Sequence, residues 1–477
     1  MSMQRAVPLA MAFAVALALT ACATPVPQTL TPRMVPASFA GPLPGDAPQS
    51  WPDASWWQGF GDPELTALVS KAQADNRDIA VAVARVLQAQ AQSTAQRAAL
   101  FPQVALQAKR LESSCRGESC LDFSNAGPYG VGFAASFDPD FRGLNRANLR
   151  ATQELLKSAR FGQQSVALTV NANVVDQYLN VLALRARIAI ANNYVAAINS
   201  ITQIIQLRVK SGSISHLDLA REQAQVEDVE ARLLALQIQE KEALFSLAVL
   251  LGEPPEGFDV KGQNLENILA PTISAGLPSE LLLRRPDVAQ AEADLASAHA
   301  NVDAARAAFL PDIALTGQGG FVSSAVGALL QASNFGYVYG VNLLQTIFDG
   351  GKLIGQKRLA AATEQQLVAS YQGIVLGAYA DVEGALVEVN GSAKAEAHLR
   401  REVDAAREAF EISQLQYRQG VADLLAVLQA QQTLFSAQDA LALTTLANRQ
   451  AAVHLYQALG GGWSESPAER TQFVSTP

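Results

Sequence analysis

At 477 residues the chain is long enough for two to four domains, so any single repeated architecture has to be demonstrated. Hydrophobic residues make up 49% of it but aromatics only 6%, and the apolar content is mainly Ala, Leu and Val, which suits long close-packed helices better than a β-sandwich. A formal charge of −9 leaves no general basic surface and argues against nucleic acid as a partner.

The first element in chain order is a targeting segment over residues 1–21. A basic start at Arg5, an apolar run from Val7 to Leu19 and small residues lead to Cys22. The run is too short to span a bilayer comfortably. Leu19, Thr20, Ala21 and Cys22 resemble a bacterial lipobox, which implies cleavage before Cys22 and acylation of its thiol and new N-terminus. Several acyl chains anchor stably, at about 0.8 kcal/mol per buried CH₂. Ala23 after the Cys implies, by resemblance to lipoproteins, sorting to the outer membrane. Residues 22–55 are Pro-rich and read as an extended arm.

The body of the chain repeats itself. Arg97–Pro102 returns as Arg306–Pro311, Lys210, Ser211, Gly212 as Arg418, Gln419, Gly420, and Leu217 as Leu425, always 208 or 209 residues later. The expected units are a first repeat over 56–265, a second over 266–463 and a tail over 464–477. No Pro falls between Pro139 and Pro254 or between Pro311 and Pro467, so long helices are permitted there. The pattern predicts helices over 144–209 and 352–418, each roughly 100 Å long at 1.5 Å per residue. Gly212 and Gly420 stop them, and second arms follow over about 214–251 and 422–460. Shorter helices are expected over about 78–100 and 287–309. Stacked end to end, a short helix and a second arm could accompany one long helix along its length.

Between short and long helices lie strand-like segments of period two. Tyr129, Val131, Phe133, Ala135 and Phe137 alternate with Gly130, Gly132, Ala134, Ser136 and Asp138, and Val104, Leu106 and Ala108 with Gln103, Gln107 and Lys109. In the second repeat Ile313 and Leu315 alternate with Asp312, Thr316 and Gln318. Phe335, Tyr337, Tyr339, Val341 and Leu343 alternate with Gly336, Gly340 and Asn342. About ten residues each, they suit tilted transmembrane β-strands. Four strands cannot close a barrel, and open edges in lipid are costly, so the chain must oligomerise. Two copies would give a filled barrel and three a passage.

Cys115 and Cys120 sit in the polar stretch Glu112–Asp122. An exported chain meets an oxidising compartment, so a small-loop disulfide is expected, with unbridged thiols or a weak metal site as alternatives, although no His lies nearby. His216, His299, His398 and His454 are scattered without metal-ligand spacing, and the Gly pairs lack a phosphate-loop lysine. No catalytic residue, cofactor or metal is expected, and the chain is not read as an enzyme.

Four segments carry a family resemblance: Trp57–Leu65 (WQGFGDPEL), Gly276–Asp287 (GLPSELLLRRPD), Ile347–Gly351 (IFDGG) and Leu455–Trp463 (LYQALGGGW). In this order the chain resembles the TolC-like outer-membrane factors, specifically the NodT-type efflux lipoproteins of resistance-nodulation-division systems. The resemblance implies a mainly α fold with transmembrane β, four strands and long coiled helices per chain, assembled as a homotrimer with a twelve-stranded β-barrel and a twelve-helix α-barrel. It also implies a periplasmic adaptor, an inner-membrane resistance-nodulation-division transporter and outer-membrane lipid as partners. Gly212 and Gly420 would be the periplasmic tips. In the family, acidic side chains near the tip narrow the entrance; Asp423 is the candidate here, although many relatives have the acid one position earlier, where this chain has Ala422. A first-turn or N-cap role for Asp423 stays open. Arg208, Lys210 and Arg418 could pair across tips or hold a closed state. A type I protein secretion duct and a periplasmic coiled-coil scaffold remain as alternatives.

Overall fold

The computed structural model describes Phe39 and residues 53–110, 129–212, 215–269, 271 and 284–461. Cys22, Cys115 and Cys120 lie outside the described residues, as do most of the N-terminal arm, the tail and most of the Gly276–Asp287 segment.

The chain enters through a short turn of 3₁₀-helix over Trp56–Phe60 and a helix α1 over Pro63–Asp75. Sequence periodicity alone does not separate this helix from its surroundings. Its start is nonetheless local chemistry: the Asp62 carboxylate accepts from the N–H groups of Glu64 and Leu65, and Pro63 fills the first helical position, where no N–H is needed. Asn76 caps the next helix, α2 over Arg77–Ala98, in the same way. Strands β1 (Gln103–Arg110) and β2 (Tyr129–Phe137) follow, then the 67-residue α3 (Leu144–Lys210) and α4 (His216–Leu250). The second half runs α5 (Pro286–Ala307), β3 (Asp312–Ser323), β4 (Phe335–Leu344), the 67-residue α6 (Lys352–Arg418) and α7 (Leu424–Ala458). The second arms start two residues later than the apolar pattern suggested, because Ser215 and Asp423 cap them from outside.

End-to-end stacking of the short helices on the second arms is visible at both junctions. The Asn76 amide donates to the Leu250 carbonyl at 2.8 Å, so the start of α2 meets the end of α4. Arg285 donates to the Ala458 carbonyl at 3.1 Å, so the start of α5 meets the end of α7. Helix α3 packs against α2, α4, α5 and α7, and α6 packs against α5 and α7. The order across the layer is therefore α6, then the α7 and α5 stack, then α3, then the α4 and α2 stack.

The core lies where these helices meet the entering segment: Phe60, Leu65, Tyr178, Leu179, Leu182, Leu244 and Leu386 are fully buried there. Trp56 stacks on Tyr456 with ring centroids 4.8 Å apart, tying the entering segment to the last helix. Arg185 clamps the same region. Its guanidinium pairs with Glu240 at 2.7 Å and with Asp259, and donates to the carbonyls of Val260 and Gly262, each at 2.6 Å.

The four strands form one antiparallel sheet in the order β1-β2-β3-β4. Its register sorts the side chains. Leu106 pairs Phe133, Phe133 pairs Gly319, and Gly319 pairs Tyr337, so the apolar positions share one face. Gln107 pairs Gly132, Gly132 pairs Gly320 and Gly320 pairs Gly336, and this opposite face carries Gln103, Lys109, Gln318, Thr316 and Asn342 among mostly small residues, with Val322, Val338 and Leu344 as its apolar members.

Candidate functional site

Three features of the described chain bear on function: the two-faced sheet, the open sides of the sheet and helix layer, and the hairpin tips. On the apolar face Tyr337, Tyr339, Val341, Leu106 and Phe133 are all exposed, Tyr339 by 81%. An exposed apolar patch of this extent belongs against another apolar phase. Its ends carry aromatics at both margins, Tyr129, Phe321 and Phe335 at one and Phe137 at the other, the arrangement of interfacial girdles in membrane barrels.

Both outer strands of the sheet, β1 and β4, have one neighbour each. The helix layer is open on the same two sides. On one side α2 and α4 expose Leu87, Leu234, Ile238 and Val249, and on the other α6 exposes Leu376 and Val387. One chain thus presents a pair of unlike edges, a heterologous surface that closes only in a ring.

At the tips Gly212 has φ 73° and Gly420 φ 76°, backbone that an L side chain adopts only at a cost, so glycine is what permits each long helix to end and turn. The two tips are not independent. Ile201 and Ile205 from α3 cluster with Tyr417, Leu424 and Val427 from the second hairpin, and the Arg208 guanidinium lies 4.5 Å from the centroid of the Tyr417 ring. Arg418 turns away to Gln414 at 3.2 Å, and Lys210 is exposed. Asp423 accepts the Ala426 N–H at 2.9 Å and so caps α7. The geometry brings Arg208 to the second hairpin and leaves Lys210, Arg418 and Asp423 on the surface of the bends.

Two further polar groups escaped sequence reading because their partners lie far away in the chain. Arg185 is one. The other is His454 of α7, whose ring lies 3.6 Å from Asp176 of α3 and 3.1 Å from Glu388 of α6, and the two carboxylates, Asp176 foremost, raise its pKa to about 9. Charged in the neutral range, it joins three helices. A His and two acids recurring at helical spacing from separate helices leave no local motif to find.

A layer of long helical hairpins is thus continuous with a two-faced sheet whose exposed apolar side suits a membrane. The chain belongs to the outer membrane efflux protein family, whose model matches residues 68–253 and 277–461, well over half of it. It is 37% identical over 418 residues to the pyoverdine export outer membrane protein OpmQ of Pseudomonas aeruginosa, covering 86% of this chain and 87% of that one. It is 29% identical over 462 residues to the cation efflux system protein CusC of Escherichia coli, covering 95% and 98%. Among solved structures, the outer-membrane channel OprN superposes with a TM-score of 0.83 at 27% identity, over 92% of this chain and 99% of that one. The protein is an outer-membrane channel component of an efflux pump, with its sheet in the membrane and its helices extending into the periplasm. The family is one of channel proteins, not of enzymes.

Proposed function

We propose that the chain works as a homotrimer, anchored through acylated Cys22, which forms the exit duct of a tripartite pump with a periplasmic adaptor and an inner-membrane resistance-nodulation-division transporter. The observation that carries this is the sheet: one apolar face, one mainly small and polar face, and two open edges. Unpaired backbone groups cost several kcal/mol each in lipid, so β4 of one copy has to pair with β1 of the next. Two copies would close a barrel filled by its own side chains, and three leave a passage.

The helix layer supports the same assembly. The edge formed by α2 and α4 meets the α6 edge of the neighbouring copy, covering Leu234, Ile238 and Val249. The tips carry exposed Leu207, Leu217, Leu415, Val421 and Leu425, an apolar rim for the adaptor to cover. Arg208 on Tyr417 holds the two hairpins of one chain together, and opening separates them. Asp423, exposed beside its cap bond, is the carboxylate for a ring at the entrance; Lys210 and Arg418 flank it. Cargo is a small molecule selected by the pump, as a wide polar duct discriminates little. Relatives are named for pyoverdine export, cation efflux and toluene efflux, which supports a duct that leaves the choice of cargo to the pump.

The test is a deletion strain assayed for susceptibility to toxic small molecules alongside its secreted proteins. Increased susceptibility with an unchanged secreted set supports efflux. Loss of a secreted protein with unchanged susceptibility supports the type I secretion alternative instead.

A further inference from the structure

Helix α4 lays a seam against α3 in which Leu219, Glu222, Val226, Val229, Leu233 and Leu236 recur at alternating spacings of three and four, the period of a coiled-coil contact. One member is not apolar. Glu222 is fully buried, and among the described residues neither of its carboxylate oxygens has a hydrogen-bond partner. Glu240, further along the same seam, shows what a tolerated acid looks like there, since Arg185 reaches it at 2.7 Å.

Among the described residues no such cation faces Glu222. Between Arg187 and Arg208 the only ionisable side chain of α3 is Tyr194, whose phenol is itself pushed up to about 12 by burial and then by Glu222. Helix α7, on the far side of α3, carries no ionisable group between Leu424 and Gln438. On α4 itself, Asp218 is bonded to Ser215 and Asp228 to Arg232, while Arg221 is exposed. Burial alone raises the Glu222 pKa to about 7. A buried carboxylate without donors has two ways to persist, as the neutral acid or by admitting water.

We propose that Glu222 makes closure of the first hairpin proton-dependent near its Gly212 bend: α4 packs on α3 with Glu222 neutral, and the two helices part between Leu219 and Val226 when it ionises. The sign follows from the native state binding the extra proton. Packing of this segment is strongest below the ordinary carboxylate range near 4.5 and weakens as pH rises to about 7, beyond which it is constant. The Gly212 bend lies ten residues away, so the change is delivered to the tip.

Hydrogen exchange on the full-length protein in mild detergent, at about pH 5 and about pH 9 with intrinsic rates corrected, tests this. Residues 217–230 are expected to lose at least about tenfold protection at the higher pH while residues 424–438 of α7 do not. Glu222→Gln should remove the difference. Equal protection of 217–230 at both pH values in the wild type overturns the proposal, as does a Gln variant that keeps the wild-type difference. Should that variant not fold, the wild-type comparison between the two segments decides alone.

Discussion

Replacing Arg208 by Ala should shift the channel toward its open form. The guanidinium sits 4.5 Å over the Tyr417 ring, and Tyr417 is otherwise buried among Ile201, Ile205, Leu424 and Val427. The substitution therefore removes the cation and leaves the apolar cluster in place. A partly exposed cation–π contact is worth about 0.5–1 kcal/mol. With one contact per chain in the proposed trimer, the closed tip loses about 1.5–3 kcal/mol, which multiplies the open-to-closed ratio roughly 10- to 150-fold. Tyr417→Phe keeps the ring and should leave the ratio nearly unchanged, whereas Tyr417→Leu should act like Arg208→Ala. Single-channel recording of the purified protein in planar bilayers reads the ratio directly. If Arg208→Ala leaves it within about twofold of wild type while the assembly stays intact, the contact does not hold the tip and the reasoning fails.

Other consequences concern the clamp, the histidine and the sheet. Arg185→Ala leaves Glu240 buried without its partner and two carbonyls without a donor, a loss of about 3–5 kcal/mol; exchange of residues 256–268 should accelerate a hundredfold or more, and a change below tenfold contradicts the clamp. His454 is raised from 6.5 to about 9 by Asp176 and Glu388, so its contribution to stability is fully present below about 6.5 and is lost as pH rises through about 9. Melting temperatures of wild type and His454→Gln should converge at high pH and differ most near neutrality or below; parallel curves throughout would dismiss the triad. Tyr339→Arg puts a charge on the apolar face and should cost up to about 2–4 kcal/mol, read as loss of outer-membrane assembly, while Asn342→Arg on the other face should assemble.

Much of this was legible in the sequence because the relevant periods are local. The Gly130 and Gly132 alternation with Val131 and Phe133 announces both faces of β2, and the Pro-free stretches with their stop signals at Gly212 and Gly420 announce the two 67-residue helices. Boundaries slipped where capping overrode hydrophobicity, as at Ser215 and Asp423. Helix α1 escaped because its 13 residues bury only Leu65, Val69 and Ala72 and carry too weak a stripe. The clamp at Arg185, the His454 triad and the orphaned Glu222 are set by packing between residues tens to hundreds of positions apart, so no window of sequence contains them. Asp423 reads as an N-cap from its bond to Ala426, and its place in an entrance ring depends on neighbouring copies of the chain.

The sheet with two open edges makes one demand above all others, that sister copies complete it. The most direct test is the mass of the assembly extracted from outer-membrane fractions in mild detergent, with particle images of the same sample. Three chains around a central passage are predicted. A stable single chain that needs no detergent, or an assembly with no hole along its axis, would contradict the account.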